Sequence, residues 1–566
     1  MPSPRSVHNQ ADVVVRVSAG AVRGRRRDGI VMFGGIPYAE PPVGVLRFAP
    51  PVPRRPWAGI RDCTRPAPGA PQRPSALAKL IGMSCSVQDE DCLHVTVWTP
   101  SCSPPRSGPA RPVLFWIHGG GFEAGSASNP LADGARLSAR GDVVVVSVTY
   151  RLGALGFLQL EDVPSNRGLL DQIGALEWVR ENVRAFGGDP DNVTIFGSSA
   201  GATCVTALLA TQGRSGLFRR AIVQSGTAEG ILTDELANAT RRELLVQLGT
   251  SARETADVRE VLEGLPVDRL LAAQSAASAY LQDQGVVVPI FQLVLDETSL
   301  PRLPLAAIHA GSAKGVDLFV GTNKDELRLW SLAEDPPAIT DHDHLVRFVA
   351  KFLAGPFADD AMRRKIDVVA GDIAARYVAL RPRGSFTDLF FELATDLHFR
   401  LPALRLLAAQ SRHAQVFSYL LSWDLPILRG ALGSPHAMDI PFLFGTYDSM
   451  RMMLFLGAGP DRALLSNRMQ DAWTSFARRG DPSFDGFDWP RFDVLDQATG
   501  VLGNELRVLR PAFRAETDAW SPVWRELYEV EGVDTDDRTI EPEVPSVRHV
   551  SIPPPQLRIE SYPAPT

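Results

Sequence analysis

The chain predicts an α/β fold on a central, mostly parallel sheet flanked by helices, and three observations carry that reading. Residues 112–117, 142–150 and 221–224 are short, nearly all-apolar runs rich in Val, Ile and Phe, which suits strands buried on both faces of a parallel sheet. Helical periodicity lies between them, as in Leu170, Ile173, Leu176, Val179 and Val183. Strand and helix patterns alternate along much of the chain, which implies βαβ units.

Residues 1–12 are polar and read as a flexible start. Strands are expected at 13–17 and 30–33, followed by a proline-rich surface path over 33–42 and the segment Leu46-Arg47-Phe48. Arg23 and Arg25 to Arg27 read as the tip of a hairpin. Acids lead from Asp89 into an alternating strand ending near Trp98, and 101–111 is a Ser/Pro/Arg loop. The strand at 112–117 stops in His118-Gly119-Gly120-Gly121-Phe122. The helix over 170–186 is halted by Gly187-Gly188-Asp189-Pro190. Further buried strands are expected at 193–196, 221–226, 317–320 and 416–421. A helix follows at 461–479, and a final strand or hairpin at 497–509. The blocks 230–312 and 340–412 look helical and too long for plain connections, so they read as insertions that wall a site. Residues 13–530 form one domain on this reading. Residues 531–566, acidic and then Pro-rich, are expected to be loosely held.

Composition narrows the function. At 566 residues with 45% hydrophobic and 22% charged side chains the chain is ordinary globular protein. A net charge of −7 without a long basic block argues against nucleic acid as partner. No apolar run reaches the length of a membrane span, and the first twelve residues carry no signal-like apolar segment. Five cysteines without such a segment fit reduced thiols in a cytoplasmic protein. No Cys/His grouping has zinc-site spacing, so neither metal nor organic cofactor is expected. Composition leaves the oligomeric state open between a monomer and a small homo-oligomer.

The chemistry centres on Gly197-Ser198-Ser199-Ala200-Gly201, set between a predicted strand and the helical run 203–210. Strand, sharp turn and helix with Gly-x-Ser-x-Gly at the corner form a nucleophile elbow, with Ser199 at its centre. A serine hydroxyl is a weak nucleophile near neutral pH and needs a base, which in turn needs an orienting partner. In α/β-hydrolases the chain order is Ser, acid, His. Glu326 follows the strand at 317–320, with Asp325 as its competitor. His436 lies in a Gly/Pro loop after the strand at 416–421. Of the ten histidines, His8, His94, His118 and His309 precede the acid. His342 and His344 open a helix, His398 and His413 lie in helical stretches and read as structural, and His549 is in the tail. The glycine run after His118 lacks any nucleotide-binding signature. Upstream of an elbow it supplies backbone N–H groups to an oxyanion, with the Ala200 N–H as a further donor.

These ordered motifs resemble the type-B carboxylesterases, the esterase and lipase branch that includes the cholinesterases. Matching segments are 33–42 with Leu46-Arg47-Phe48, Glu90-Asp91-Cys92-Leu93, His118 to Phe122, and Tyr150-Arg151-Leu152-Gly153. The elbow, Gln224-Ser225-Gly226, Asn323 to Glu326, and His436 with Phe444-Gly445 extend the match over roughly 13–525. The resemblance implies an α/β-hydrolase fold with a gorge leading to a Ser199–Glu326–His436 triad. It implies Gly120, Gly121 and Ala200 as oxyanion donors and Ser225 as support for the acid. It also implies a structural ion pair between Arg47 and Glu90. The expected reaction is hydrolysis of small, mostly uncharged carboxylic esters through an acyl-enzyme. An amidase, carbamate hydrolase or thioesterase with the same triad is the alternative, and a non-catalytic binding protein a remote one. Two departures stand out. Relatives carry glutamate where this chain has Ser198, and the cysteine partner that secreted members give Cys92 would fall near Ala70, which implies a free thiol.

Overall fold

The computed structural model describes residues 12–527, apart from 74–75, 84, 86, 212–215, 251–254, 287–288, 334–337 and 355–359. The expected flexible start, except for Asp12, and the Pro-rich tail lie outside the described residues. Among the described residues thirteen strands make one sheet: β1 Asp12–Val17, β2 Gly20–Arg27, β3 Ile30–Pro37, β4 Ile60–Asp62, β5 His94–Thr99, β6 Arg111–Ile117, β7 Val144–Val148, β8 Gly188–Ser198, β9 Arg220–Gln224, β10 Asp317–Asn323, β11 Val416–Ser422, β12 Thr499–Gly503 and β13 Arg507–Leu509. The spatial order is β1-β2-β3-β5-β7-β6-β8-β9-β10-β11-β12-β13, with β4 beside β2. From β7 through β12 every neighbouring pair is parallel.

Side-chain alternation along the central strands divides the core in two. On β6, Val113, Phe115 and Ile117 enter the larger apolar cluster, while Leu114 and Trp116 enter the other. The period of two sends successive residues to opposite faces, and helices cover both. That is why these strands are apolar throughout rather than alternating. The Arg-rich segment is β2 itself, not a hairpin tip; the turn comes after it, at Asp28 and Gly29. The block 230–312 is not continuously helical either. Its helices Asp234–Leu248, Thr255–Gly264, Val267–Asp283 and Pro304–His309 leave an irregular stretch in which Val294 bridges Leu232. Among the described residues no helix is long and apolar enough to cross a membrane, and no cluster of three or more His, Cys, Asp or Glu is placed to hold a metal.

Candidate active site

Parallel strands end on one edge, with neighbours about 4.8 Å apart. β8, β9, β10 and β11 are consecutive in the sheet, so Ser199, Ser225, Glu326 and His436 all follow strand ends on that edge. Ser199 has φ 58° and ψ −127° and stands between β8 and the helix Ala200–Ala210. Few non-glycine residues adopt such a backbone, and a strained residue of this kind persists only where its surroundings fix it. Here they do. A Cβ on Gly201 would sit 2.1 Å from the Ile117 carbonyl oxygen, and one on Gly197 would sit 2.6 Å from the Gly201 backbone. The elbow therefore closes only with glycine on both sides.

The glycine run packs directly on the elbow. A Cβ on Gly119 would lie 3.1 Å from the Ser199 Cβ. Gly120 and Gly121 adopt φ of 120° and 62°, and among the described residues no backbone carbonyl accepts their N–H groups. Ala200 is the first residue of its helix, where the N–H has no intrahelical acceptor and the helix dipole is positive. His118 anchors the run from below. Its ring stacks on Tyr150 with centroids 4.5 Å apart, and the Tyr150 hydroxyl donates to the His118 carbonyl at 2.7 Å. Burial lowers the His118 pKa to about 4, so the ring is neutral near pH 7.

Of the two acids left open, Glu326 faces His436 and Asp325 does not. Glu326 Oε2 lies 2.7 Å from His436 Nδ1. Its Oε1 accepts from the Ser225 hydroxyl at 2.5 Å and from the Asn323 N–H at 2.6 Å. Asp325 instead accepts from the Ser434 N–H at 2.9 Å, fastening the loop that carries His436. Asn323 Nδ2 donates to the Pro435 carbonyl at 2.7 Å in the same loop. The rings of Phe399 and Trp330 lie 5.0 and 5.4 Å from the His436 ring.

Ser198 is fully buried, and its hydroxyl has no hydrogen-bond partner among the described residues, so the structure ties it to no member of the proposed triad. Arg47 meets Glu90 in two parallel bonds of 2.7 and 2.8 Å. Arg47 also donates to the carbonyls of Leu262, Glu263 and Leu265, capping the end of the helix Thr255–Gly264. Cys92 is a buried thiol, and all five cysteines are unbridged.

Three neighbours of the site carried no signal in the sequence. His398 reads as a structural helix residue, yet it lies on a π-helical turn, Asp396–Arg400, and lines the cavity at Ser199. Burial lowers its pKa to about 3 and keeps it neutral. Gln292 lines the same cavity. Asp439, three residues past His436, is fully buried and accepts from Gln224 Nε2 at 2.5 Å. Only the fold brings these three to the strand edge.

Sheet order, elbow and helical insertions define an α/β-hydrolase. Residues 11–519 match the carboxylesterase family, and the chain belongs to it as a serine carboxylesterase. It is 36% identical over 501 residues to the para-nitrobenzyl esterase of Bacillus subtilis strain 168, covering 88% of this chain and 96% of the relative. It is 33% identical over 501 residues to the phenmedipham hydrolase of Pseudarthrobacter oxydans, covering 87% and 95%. The crystal structure of the Geobacillus stearothermophilus carboxylesterase EST55 at pH 6.2 superposes with a TM-score of 0.77 at 34% identity, over 90% of this chain and 99% of that one.

Proposed function

We propose that Ser199 hydrolyses small, mostly uncharged esters through an acyl-enzyme, with His436 as base and Glu326 as its orienting acid. The observation that carries this reading is the 2.7 Å contact between Glu326 and His436 Nδ1, on the strand edge that also bears Ser199. The carboxylate fixes the tautomer, leaving Nε2 to take the serine proton and later give it to the departing alcohol. Gly120, Gly121 and Ala200 donate to the oxyanion, and Ser225 holds the far oxygen of the acid. Water then cleaves the acyl-enzyme by the same groups. The cavity at Ser199 is walled by Phe122 and Phe399 with neutral polar groups, which favours uncharged substrates. The triad alone does not separate esters from amides, carbamates or thioesters, because leaving-group preference lies in the walls.

Ser199→Ala should lower kcat on 4-nitrophenyl acetate by about 10⁶. Turnover by that variant within tenfold of the parent would sink the reading.

A further inference from the structure

Gln292 lies in the irregular stretch between the helices Val267–Asp283 and Pro304–His309, 1% exposed, in the wall of the cavity that holds Ser199. Its Nε2 is buried, and no group among the described residues accepts a hydrogen bond from it. Buried amide donors in folded proteins almost always find an acceptor, because an unmade bond forfeits the hydration the group gave up. An apolar residue of the same volume would fill that wall without this cost. Two other polar side chains in the wall are already engaged. Thr203 Oγ1 accepts from the Thr227 N–H, and Thr227 Oγ1 accepts from the Glu229 N–H. Gln292 thus brings to the cavity wall an amide whose donor still has its bond to make.

The geometry also indicates which half of the substrate Gln292 meets. In ester cleavage the leaving alcohol takes its proton from His436, so it departs on that residue's side. Among the described residues the cavity is lined by Gly121 and Ala200, two proposed oxyanion donors, and not by His436. The side of the carbonyl carbon turned away from the leaving group is the acyl side.

Building on the serine-ester reading above, we infer that Gln292 is a specificity-determining residue: its amide selects acyl chains carrying a hydrogen-bond acceptor, an ether or carbonyl oxygen, over hydrocarbon chains of the same length. Such a chain makes the bond that Nε2 lacks, whereas a hydrocarbon chain leaves the donor unpaired.

The test compares 4-nitrophenyl pentanoate with its two oxa-analogues, in which an ether oxygen replaces the C3 or the C4 methylene of the acyl chain. Each kcat/KM is divided by that ester's hydroxide-catalysed rate, which removes intrinsic reactivity. The parent enzyme should prefer at least one oxa-ester by about tenfold. Gln292→Met, similar in volume but without a donor, should lose that preference, and so should Gln292→Leu. Each ratio is taken within one protein, so the folded fraction cancels; if neither variant folds, the parent ratio decides. Equal treatment of all the esters by the parent, or an undiminished preference in a folded variant, overturns the assignment. Ester turnover that survives Ser199→Ala would instead overturn the serine reading, a separate outcome from either of these.

Discussion

The two halves of the proposed machinery are built differently. The elbow and the glycine run come from one uninterrupted stretch, residues 111–210, where backbone presses on backbone. The acid and base follow β10 and β11, neighbours in the sheet that a helical insertion between His342 and Ser411 separates along the chain. Their positions are held mainly by hydrogen bonds, both from side chains and between backbones, among them the His436 N–H to the Glu326 carbonyl at 3.2 Å. Steric fixing is local and tolerates no insertion. Hydrogen-bond fixing tolerates long insertions but depends on each donor and acceptor being the right one.

That contrast breaks first at the acids. Glu326→Gln keeps the volume but puts an amide beside His436 Nδ1, where the wrong tautomer is then favoured. The loss in kcat on 4-nitrophenyl acetate should be about 10⁴. Asp325→Asn can still accept from the Ser434 N–H and loses only the charge that faces Lys324 and Arg328, so it should lower the melting temperature slightly while costing less than about tenfold in kcat. Comparable kcat losses in the two variants would mean that the polar half does not distinguish its acids in this way.

On the steric half, neighbouring glycines should differ sharply. A Cβ on Gly120 would meet the Ala124 carbonyl oxygen at 2.2 Å, so the peptide must rotate and its donor is misdirected. Gly120→Ala should cost about 10²–10³ in kcat, the usual loss for one oxyanion donor. Gly121 has nothing within 4 Å of the same atom, so Gly121→Ala meets only the left-handed backbone penalty of roughly 1–2 kcal/mol. It should lower stability more than rate. Equal kcat losses would show that space is not what separates the two positions.

The same contrast governs what could be read from the sequence. The elbow and the glycine run are legible because steric demand writes glycine and serine at fixed, contiguous positions. Spacing leaves the acid open between Asp325 and Glu326 because both follow β10; the family resemblance favours Glu326, and the fold shows it to be the one that faces the base. Strand β2 was missed because its arginines interrupt the apolar alternation that marks a strand; an antiparallel strand near the sheet edge has a face free for charge. Gln292 and His398 were invisible as site residues because their place in the cavity depends on how the insertions pack.

The smallest effect on rate is expected at Asp439, a second buried carboxylate behind the acid–base pair. Glu326 accepts three bonds from protein groups, whereas Asp439 accepts one from Gln224 and its Oδ1 has no partner among the described residues. Burial, reinforced by the nearby Glu326 charge, raises the Asp439 pKa from 3.8 to about 6 against the opposing pull of Gln224 and His436. A carboxyl that holds its proton more tightly when folded adds stability below about pH 4 and loses it as pH rises through about 6. Ionised Asp439 is therefore a net burden at pH 8. Asp439→Asn cannot ionise and can still accept from Gln224. Its stability relative to the parent, read from urea midpoints, should improve between pH 5 and pH 8 by about 1.4 kcal/mol. Its kcat should change less than about tenfold, because Asp439 touches neither Ser199 nor the oxyanion donors in any hydrogen bond. Parallel pH curves for the two proteins would show that Asp439 carries no such burden and that the polar half holds both carboxylates equally well.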